Sequence, residues 1–95
     1  METGFYIVLN IRTATGFEEY GNFFIGEDPV SANNIFKSLK GLEEMNEKNF
    51  LQIDFIEKKD NLPINVKLRS CTLDEMTENF RIITKEIFKR FNLQM

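Results

Sequence analysis

Hydrophobic and polar positions alternate along the first part of the chain, which is the pattern of β-strands. In residues 5–12 every second position is strongly apolar, and after a short turn an aromatic-rich run follows over residues 17–25. A period of two sends successive side chains to opposite faces of a sheet. The two segments therefore predict a β-hairpin with one apolar face.

The period then changes to that of a helix. Asp28 is suited to the N-cap and Pro29 to the first helical position, where its missing N–H has no cost. Apolar residues follow at helical spacing; they are Ala32, Ile35, Phe36 and Leu39. Gly41 suits the left-handed residue that ends many helices. We therefore predict a helix over residues 29–40 and a polar, acidic loop over residues 42–49.

A second pair of strands is predicted over residues 50–58 and 64–70, with a turn over residues 60–63 between them. The apolar positions of both strands should share one face; they are Leu51, Ile53, Phe55, Ile64, Val66 and Leu68. The polar positions should share the other face; they are Gln52, Asp54, Asn65, Lys67 and Arg69. This alternation is typical of a sheet with one solvated face.

The last helix has the strongest start signal in the chain. Thr72 and Glu75 have the spacing of a capping box, and Cys71 and Met76 occupy the two positions of a hydrophobic staple. An apolar stripe continues at helical spacing; its members are Met76, Phe80, Ile83, Ile87 and Phe91.

These elements predict a single α+β domain over residues 1–95 with the order β-β-α-β-β-α. Two amphipathic helices need one sheet face to cover, so we expect a mainly antiparallel four-stranded sheet with both helices on one face. A right-handed crossover favours the strand order 2-1-3-4. The order 1-2-4-3 is the alternative.

The other sheet face should then be open, and its aromatic half is the candidate interaction surface. We expect four large side chains there, surrounded by polar ones; the anchors are Tyr6, Val8, Tyr20 and Phe24, and the polar surround is Asn10, Asn22 and Arg12. Such a patch suggests a partner, and a homodimer needs only one self-complementary surface. Alternatively, sheet twist, the 42–49 loop or the tail over residues 91–93 covers the patch.

Composition narrows the function. The chain has 95 residues with 42% hydrophobic residues, and its net charge of −3 weighs against nucleic acid as the main partner. No signal peptide or membrane-spanning run is evident, so we expect no membrane partner and a cytoplasmic location.

The side-chain inventory argues against most enzyme classes. The chain has no His and one Cys. It therefore lacks the commonest general base, and one chain cannot build a usual zinc site. The carboxylates are scattered, and the staple position explains Cys71 without chemistry. We accordingly predict a non-enzymatic interaction domain without a cofactor. Its expected partner is a second copy of the chain or another protein.

Two alternatives remain open at this point. One is a small-ligand site between sheet and loop, lined by Tyr6, Tyr20 and a buried carboxylate. The other is RNA binding through a basic stripe on the last helix, formed by Arg81, Lys85 and Lys89. Nearby glutamates and the helix dipole account for that stripe more simply.

Overall fold

The computed structural model describes residues 3–90, and their elements follow the predicted order. The strands are β1 (Thr3–Thr13), β2 (Gly16–Gly26), β3 (Leu51–Lys59) and β4 (Leu62–Cys71). The helices are α1 (Pro29–Lys37) and α2 (Leu73–Arg90). The predicted apolar position Phe91 and the rest of the tail lie outside the described residues.

The four strands form one antiparallel sheet in the order β2-β1-β3-β4. The first strand of the chain is therefore central, with β2 on one side and β3 on the other. This confirms the α+β class and the favoured strand order, and it rejects the alternative order 1-2-4-3.

The core lies between the sheet and the two helices. Phe36 of α1 stacks on Phe55 of β3 with ring centroids 5.0 Å apart, and Phe5 of β1 stacks on the same ring at 5.8 Å. Residues of α2 complete the cluster, chiefly Met76 and Ile83. Because α1 and α2 pack on the same cluster, both cover one sheet face and leave the other open.

The predicted helix starts are present. The Ser31 amide donates to the Asp28 carboxylate over 3.1 Å, and Pro29 is the first residue of α1. At the start of α2, the Glu75 amide donates to the Thr72 hydroxyl over 3.2 Å, and the Thr72 amide donates to the Glu75 carboxylate over 2.9 Å. This confirms the N-cap of α1 and the capping box of α2.

The end of α1 differs from the prediction. The helix ends at Lys37, before residue 40, so Gly41 is not its C-terminal glycine. Gly41 has a φ of +136°, and a Cβ there would lie 2.8 Å from the Ser70 carbonyl oxygen. The glycine is needed because the chain passes close to β4, where Leu42 pairs with Ser70. The start of the predicted loop is thus fixed to the edge of the sheet.

The turn between β3 and β4 is shorter than predicted. Asp60 and Asn61 have φ values of 52° and 67°, and Lys59 pairs with Leu62. Two successive left-handed residues match the right-handed twist of a hairpin, and Asp and Asn tolerate this conformation. Pro63 therefore belongs to β4, an edge strand, where a missing N–H is tolerated.

A β-bulge interrupts the predicted alternation in β4. Phe55 pairs with Lys67 and Ile56 pairs with Asn65, so Val66 is an extra residue. Because a one-residue slip exchanges the two faces, Lys67 and the residues after it change sides. The prediction that Lys67 and Arg69 lie on the open face is therefore wrong.

Arg69 is the clearest consequence of this bulge. Its side chain is buried, with the guanidinium 4.7 Å from the centre of the Phe36 ring and 3.2 Å from the Glu43 carboxylate. Leu68, predicted to face the core, pairs with Asp54 on the open face. A cation–π contact and an ion pair offset the cost of burying this charge.

Candidate functional site

An aromatic pair lies at one end of the open sheet face. Tyr6 of β1 pairs with Phe24 of β2, and the two ring centroids are 5.2 Å apart with the ring planes tilted by 51°. Both side chains are half-buried. The structure thus brings together two of the four predicted apolar anchors.

A lysine and a glycine from neighbouring positions complete this arrangement. The Lys58 ammonium lies 4.6 Å from the centre of the Tyr6 ring. Gly4 pairs with Lys58 across β1 and β3, and a Cβ on Gly4 would lie 3.1 Å from the Phe24 ring and 3.3 Å from the Tyr6 ring. The glycine therefore gives both rings room to lie over the β1 backbone.

These residues line a depression of about 510 Å³, which we call the aromatic depression; the members that matter here are Gly4, Tyr6, Phe24, Glu27, Lys58 and Asp60. Glu27 and Asp60 are exposed. Among the described residues neither carboxylate is within ion-pair distance of a cation. The site therefore combines two ring faces, one ammonium and two unpaired carboxylates.

The centre of the open face is filled by its own side chains. Val8 is only 7% exposed and Asn10 only 8%. The Asn10 amide donates to the Asp54 carboxylate over 2.8 Å, and the Gln52 amide donates to the same carboxylate over 2.9 Å. Val8 and Asn10 therefore support the surface from within, and the prediction that they are exposed contact residues is wrong.

Arg12 and Asn22 mark two borders of this face. The Arg12 guanidinium donates a hydrogen bond to the Glu47 carbonyl and lies 5.4 Å from the centre of the Phe50 ring. The loop predicted over residues 42–49 therefore meets the open face at Arg12, away from the aromatic depression. Asn22 is exposed, and its amide donates to the Glu19 carboxylate over 3.1 Å.

Tyr20 does not join the other predicted anchors. Leu9 pairs with Gly21 and Asn10 pairs with Glu19, so Tyr20 is the extra residue of a bulge in β2. Burial raises the pKa of Tyr20, and the thiol of the core residue Cys71 raises it further. The bulge breaks the alternation between Tyr20 and Phe24, and Tyr20 is not among the residues that line the aromatic depression. Its predicted position beside Phe24 is wrong, because alternation alone does not show where a bulge occurs.

The separation of Tyr20 from Tyr6 also affects the small-ligand alternative. A pocket lined by both tyrosines and a buried carboxylate would have supported that hypothesis. The aromatic depression contains Tyr6 without Tyr20, and its carboxylates on Glu27 and Asp60 are exposed. The predicted combination of residues is therefore not assembled.

The single thiol lies in the core. The Cys71 thiol donates to the Lys40 carbonyl over 3.3 Å, and the Asn79 amide lies 3.6 Å from its sulfur. Burial raises the pKa of Cys71 to about 11, and the nearby Glu75 carboxylate adds to the effect. A thiol held neutral in this way is a poor nucleophile.

The basic stripe lies along the exposed side of α2. Arg81 lies 3.9 Å from the Glu78 carboxylate, and Lys89 lies 3.6 Å from the Glu86 carboxylate.

Over the described residues, no three His, Cys, Asp or Glu side chains come together as a metal site would require. Neither helix of residues 3–90 has the length and apolarity needed to cross a membrane.

No family model, no curated protein and no solved structure matches this chain. The candidate site is therefore defined by its geometry. Sequence reasoning identified Tyr6 and Phe24 but missed Gly4, Lys58, Glu27 and Asp60, which join them only through the strand order and the β3–β4 turn. Nothing in the alternation pattern pointed to a contact between Lys58 and Tyr6.

Proposed function

We propose that this chain is a non-enzymatic protein-interaction domain that forms a homodimer through its open sheet face. The observation that carries the proposal is the half-buried Tyr6–Phe24 pair on the face that neither helix covers. Aromatic side chains are enriched at the centres of protein interfaces, and polar residues surround them there. Asn22 and Arg12 would form part of that polar surround.

The size of the face supports this use. Four strands of 9 to 11 residues give an open face of roughly 20 by 30 Å at the usual strand spacing and rise. Its projected area of roughly 600 Å² approaches the roughly 800 Å² that each partner buries in a standard interface. A partner of similar size could therefore cover most of the face.

The sheet edges are less suited to assembly. On β4, Pro63 lacks an N–H, Val66 forms a bulge, and Leu42 already pairs with Ser70. On β2, register shifts occur at two places, next to the pairs made by Phe5 and Leu9. Proline and bulges are the usual devices that prevent edge-to-edge pairing. This favours the face over the edges as the contact surface.

The proposal includes a reducing compartment, the cytoplasm, as the setting. Cys71 is a free thiol in the core, and its neutral form is stabilised there. Oxidation of this thiol would place a polar group among packed side chains. A reducing setting keeps the core intact.

Sedimentation velocity over roughly 10 µM to 1 mM tests the homodimer, because this range covers the affinities expected of a small interface. We expect concentration-dependent dimer formation, which Phe24→Ser shifts towards monomer. Tyr20→Ser is the matched control, because it removes an aromatic ring of the same strand that lies outside the aromatic depression. A monomer at every concentration would contradict the proposal, as would equal effects of the two substitutions.

A further inference from the structure

We propose that the aromatic depression binds the side-chain ammonium of a lysine from a partner protein, and that Lys58 occupies this position in the free protein. The inference rests on the proposed function, because it names the group that the open face recognises. It adds a ligand chemistry to a surface so far described only by its shape and polarity.

The first support is the position of the Lys58 ammonium. It lies 4.6 Å from the centre of the Tyr6 ring, within the range of a cation–π interaction. The Phe24 ring is tilted by 51° against Tyr6, so the two rings form a corner rather than a flat surface. The protein's own lysine shows that a primary ammonium fits over the Tyr6 ring, next to which Phe24 lies.

The second support is the charge around the rings. Glu27 and Asp60 line the same depression, and within the described part of the chain neither pairs with a cation. Two carboxylates against the single ammonium of Lys58 leave the depression acidic. Ring faces are also the negative side of an aromatic quadrupole. A cation is therefore attracted and an anion is repelled.

The third support is that Lys58 can leave. The backbone of Lys58 pairs with Gly4 on β1, and its long, flexible side chain contacts the Tyr6 ring through the ammonium. No carboxylate among the described residues holds its ammonium as an ion pair. An internal occupant of this kind competes with an external lysine and lowers its apparent affinity. Removing the Lys58 ammonium should therefore strengthen binding, which is the opposite of what a ligand-contacting cation would do.

The test titrates Nα-acetyl-lysine N-methylamide into the protein and follows the Tyr6 and Phe24 ring signals by NMR. Its neutral isostere, Nα-acetyl-norleucine N-methylamide, measures the apolar contribution. We expect Lys58→Met to bind the lysine probe about threefold more tightly than the wild type or better, since one cation–π contact corresponds to about a two- to thirtyfold change. Lys59→Met is the matched control: it removes the same charge from the next residue, whose side chain faces the other way, and should leave the affinity within about twofold of the wild type.

Further variants separate the rings from the charges. Tyr6→Phe should keep the binding of the lysine probe, whereas Tyr6→Leu should weaken it at least about fivefold. Glu27→Gln changes an exposed side chain, so it keeps the protein folded and should weaken binding about twofold. Backbone NMR spectra of each variant verify the fold.

Three results would overturn the inference: equal binding of the norleucine and lysine probes, weaker binding of the lysine probe by Lys58→Met, or no shift of the ring signals in that variant up to the solubility limit of the lysine probe. Failure here is distinct from failure of the homodimer. A monomer whose Lys58→Met variant binds the lysine probe would retain the inference and lose the homodimer. A dimer that Phe24→Ser weakens, with no binding of the lysine probe by the Lys58→Met variant, would retain the homodimer and lose the inference.

Discussion

Two aromatic pairs on opposite faces of the sheet have nearly the same spacing but different surroundings. Phe36 and Phe55 stack at 5.0 Å in the core, and Tyr6 and Phe24 meet at 5.2 Å on the open face. The core rings are 1% and 0% exposed, whereas the open-face rings are half-buried. The spacing of the rings alone therefore does not distinguish a structural pair from a candidate binding pair.

The difference lies in what each pair excludes. The core pair is fully removed from water and joins α1 to the sheet, so burial of its apolar surface increases the free energy of unfolding. The open-face pair keeps one side in contact with solvent, where a ligand can replace water. Matched substitutions on the two faces should therefore separate loss of folding from loss of binding.

The largest difference should come from deleting one ring of each pair. Phe36→Ala should lower the free energy of unfolding by about 3–5 kcal/mol, because it leaves a cavity beside Phe55 and Arg69. Phe24→Ala should cost about 1 kcal/mol, because its ring is already partly in water. Urea denaturation measures both values. Equal losses would show that the open-face pair is as structural as the core pair.

The next difference concerns two buried asparagines. Asn79 binds both backbone groups of Lys40, accepting from its amide over 2.6 Å and donating to its carbonyl over 2.9 Å. Asn79→Ala should cost about 2–3 kcal/mol, because the Lys40 amide loses its partner and the Lys40 carbonyl keeps only the weaker Cys71 thiol. Asn10→Ala on the open face should cost about 1 kcal/mol, because water can reach Asp54.

Thermal unfolding of the two asparagine variants provides the measurement. Alanine forms helices better than asparagine, so a loss at position 79 reports the hydrogen bonds and not helix propensity. A smaller loss for Asn79→Ala than for Asn10→Ala would contradict the contrast between the faces.

The covered face should also make stability fall at alkaline pH. The unfolded Cys71 thiol ionises near its ordinary pKa of 9.0, whereas burial holds the folded pKa at about 11. The folded state therefore keeps its proton longer, and stability should drop by about 2–3 kcal/mol as the pH rises from 9 to 11. Denaturation at several pH values measures this slope.

Cys71→Ala should flatten most of that slope. Tyr20, whose pKa is raised by burial, adds a smaller slope in the same direction, and Tyr20→Phe should remove it. A slope that persists unchanged in the double variant would mean that other groups cause the alkaline loss.

The smallest effect should come from adding one methyl group on each face. Gly21→Ala places a Cβ 3.2 Å from the buried Leu9 side chain, so it should cost about 1–2 kcal/mol. Gly4→Ala meets the Tyr6 and Phe24 rings, which can tilt into solvent, so it should cost less than about 1 kcal/mol and mainly disturb the aromatic depression. Chemical denaturation and the ring signals in NMR spectra measure the two effects. A larger stability loss for Gly4→Ala would reverse the assignment of the faces.

The sequence predicted the architecture because its strongest signals are local. Thr72 with Glu75 and Asp28 with Pro29 are each a strong local signal for a helix start, and two helices with one apolar stripe each call for a common sheet face. The strand order then follows from the handedness of one crossover. These inferences need no knowledge of side-chain contacts.

The bulges could not be predicted in the same way. Val66 and Tyr20 are each the extra residue of a bulge, so the alternation of side chains between the two faces is interrupted at these positions. The sequence pattern does not show the interruption, because both faces of these strands contain apolar residues. Arg69 was assigned to the open face from the alternation pattern, although its guanidinium is buried against Phe36 and pairs with Glu43. The aromatic depression was predicted only in part: Tyr6 and Phe24 were named, whereas the contact of Lys58 with Tyr6 depends on the pairing of β1 with β3.

The central position of β1 has a consequence for the order in which the chain is made. During synthesis β1 leaves the ribosome before its partner β3, from which it is separated by β2, α1 and the loop that follows. Until β3 emerges, the inner edge of β1 has no partner, and a free edge can pair with other nascent chains. A chain stalled before Leu51 is therefore a hairpin and a helix with an open edge. Pairing with newly made β3 therefore removes the free edge of β1 and, with it, this route to association between nascent chains.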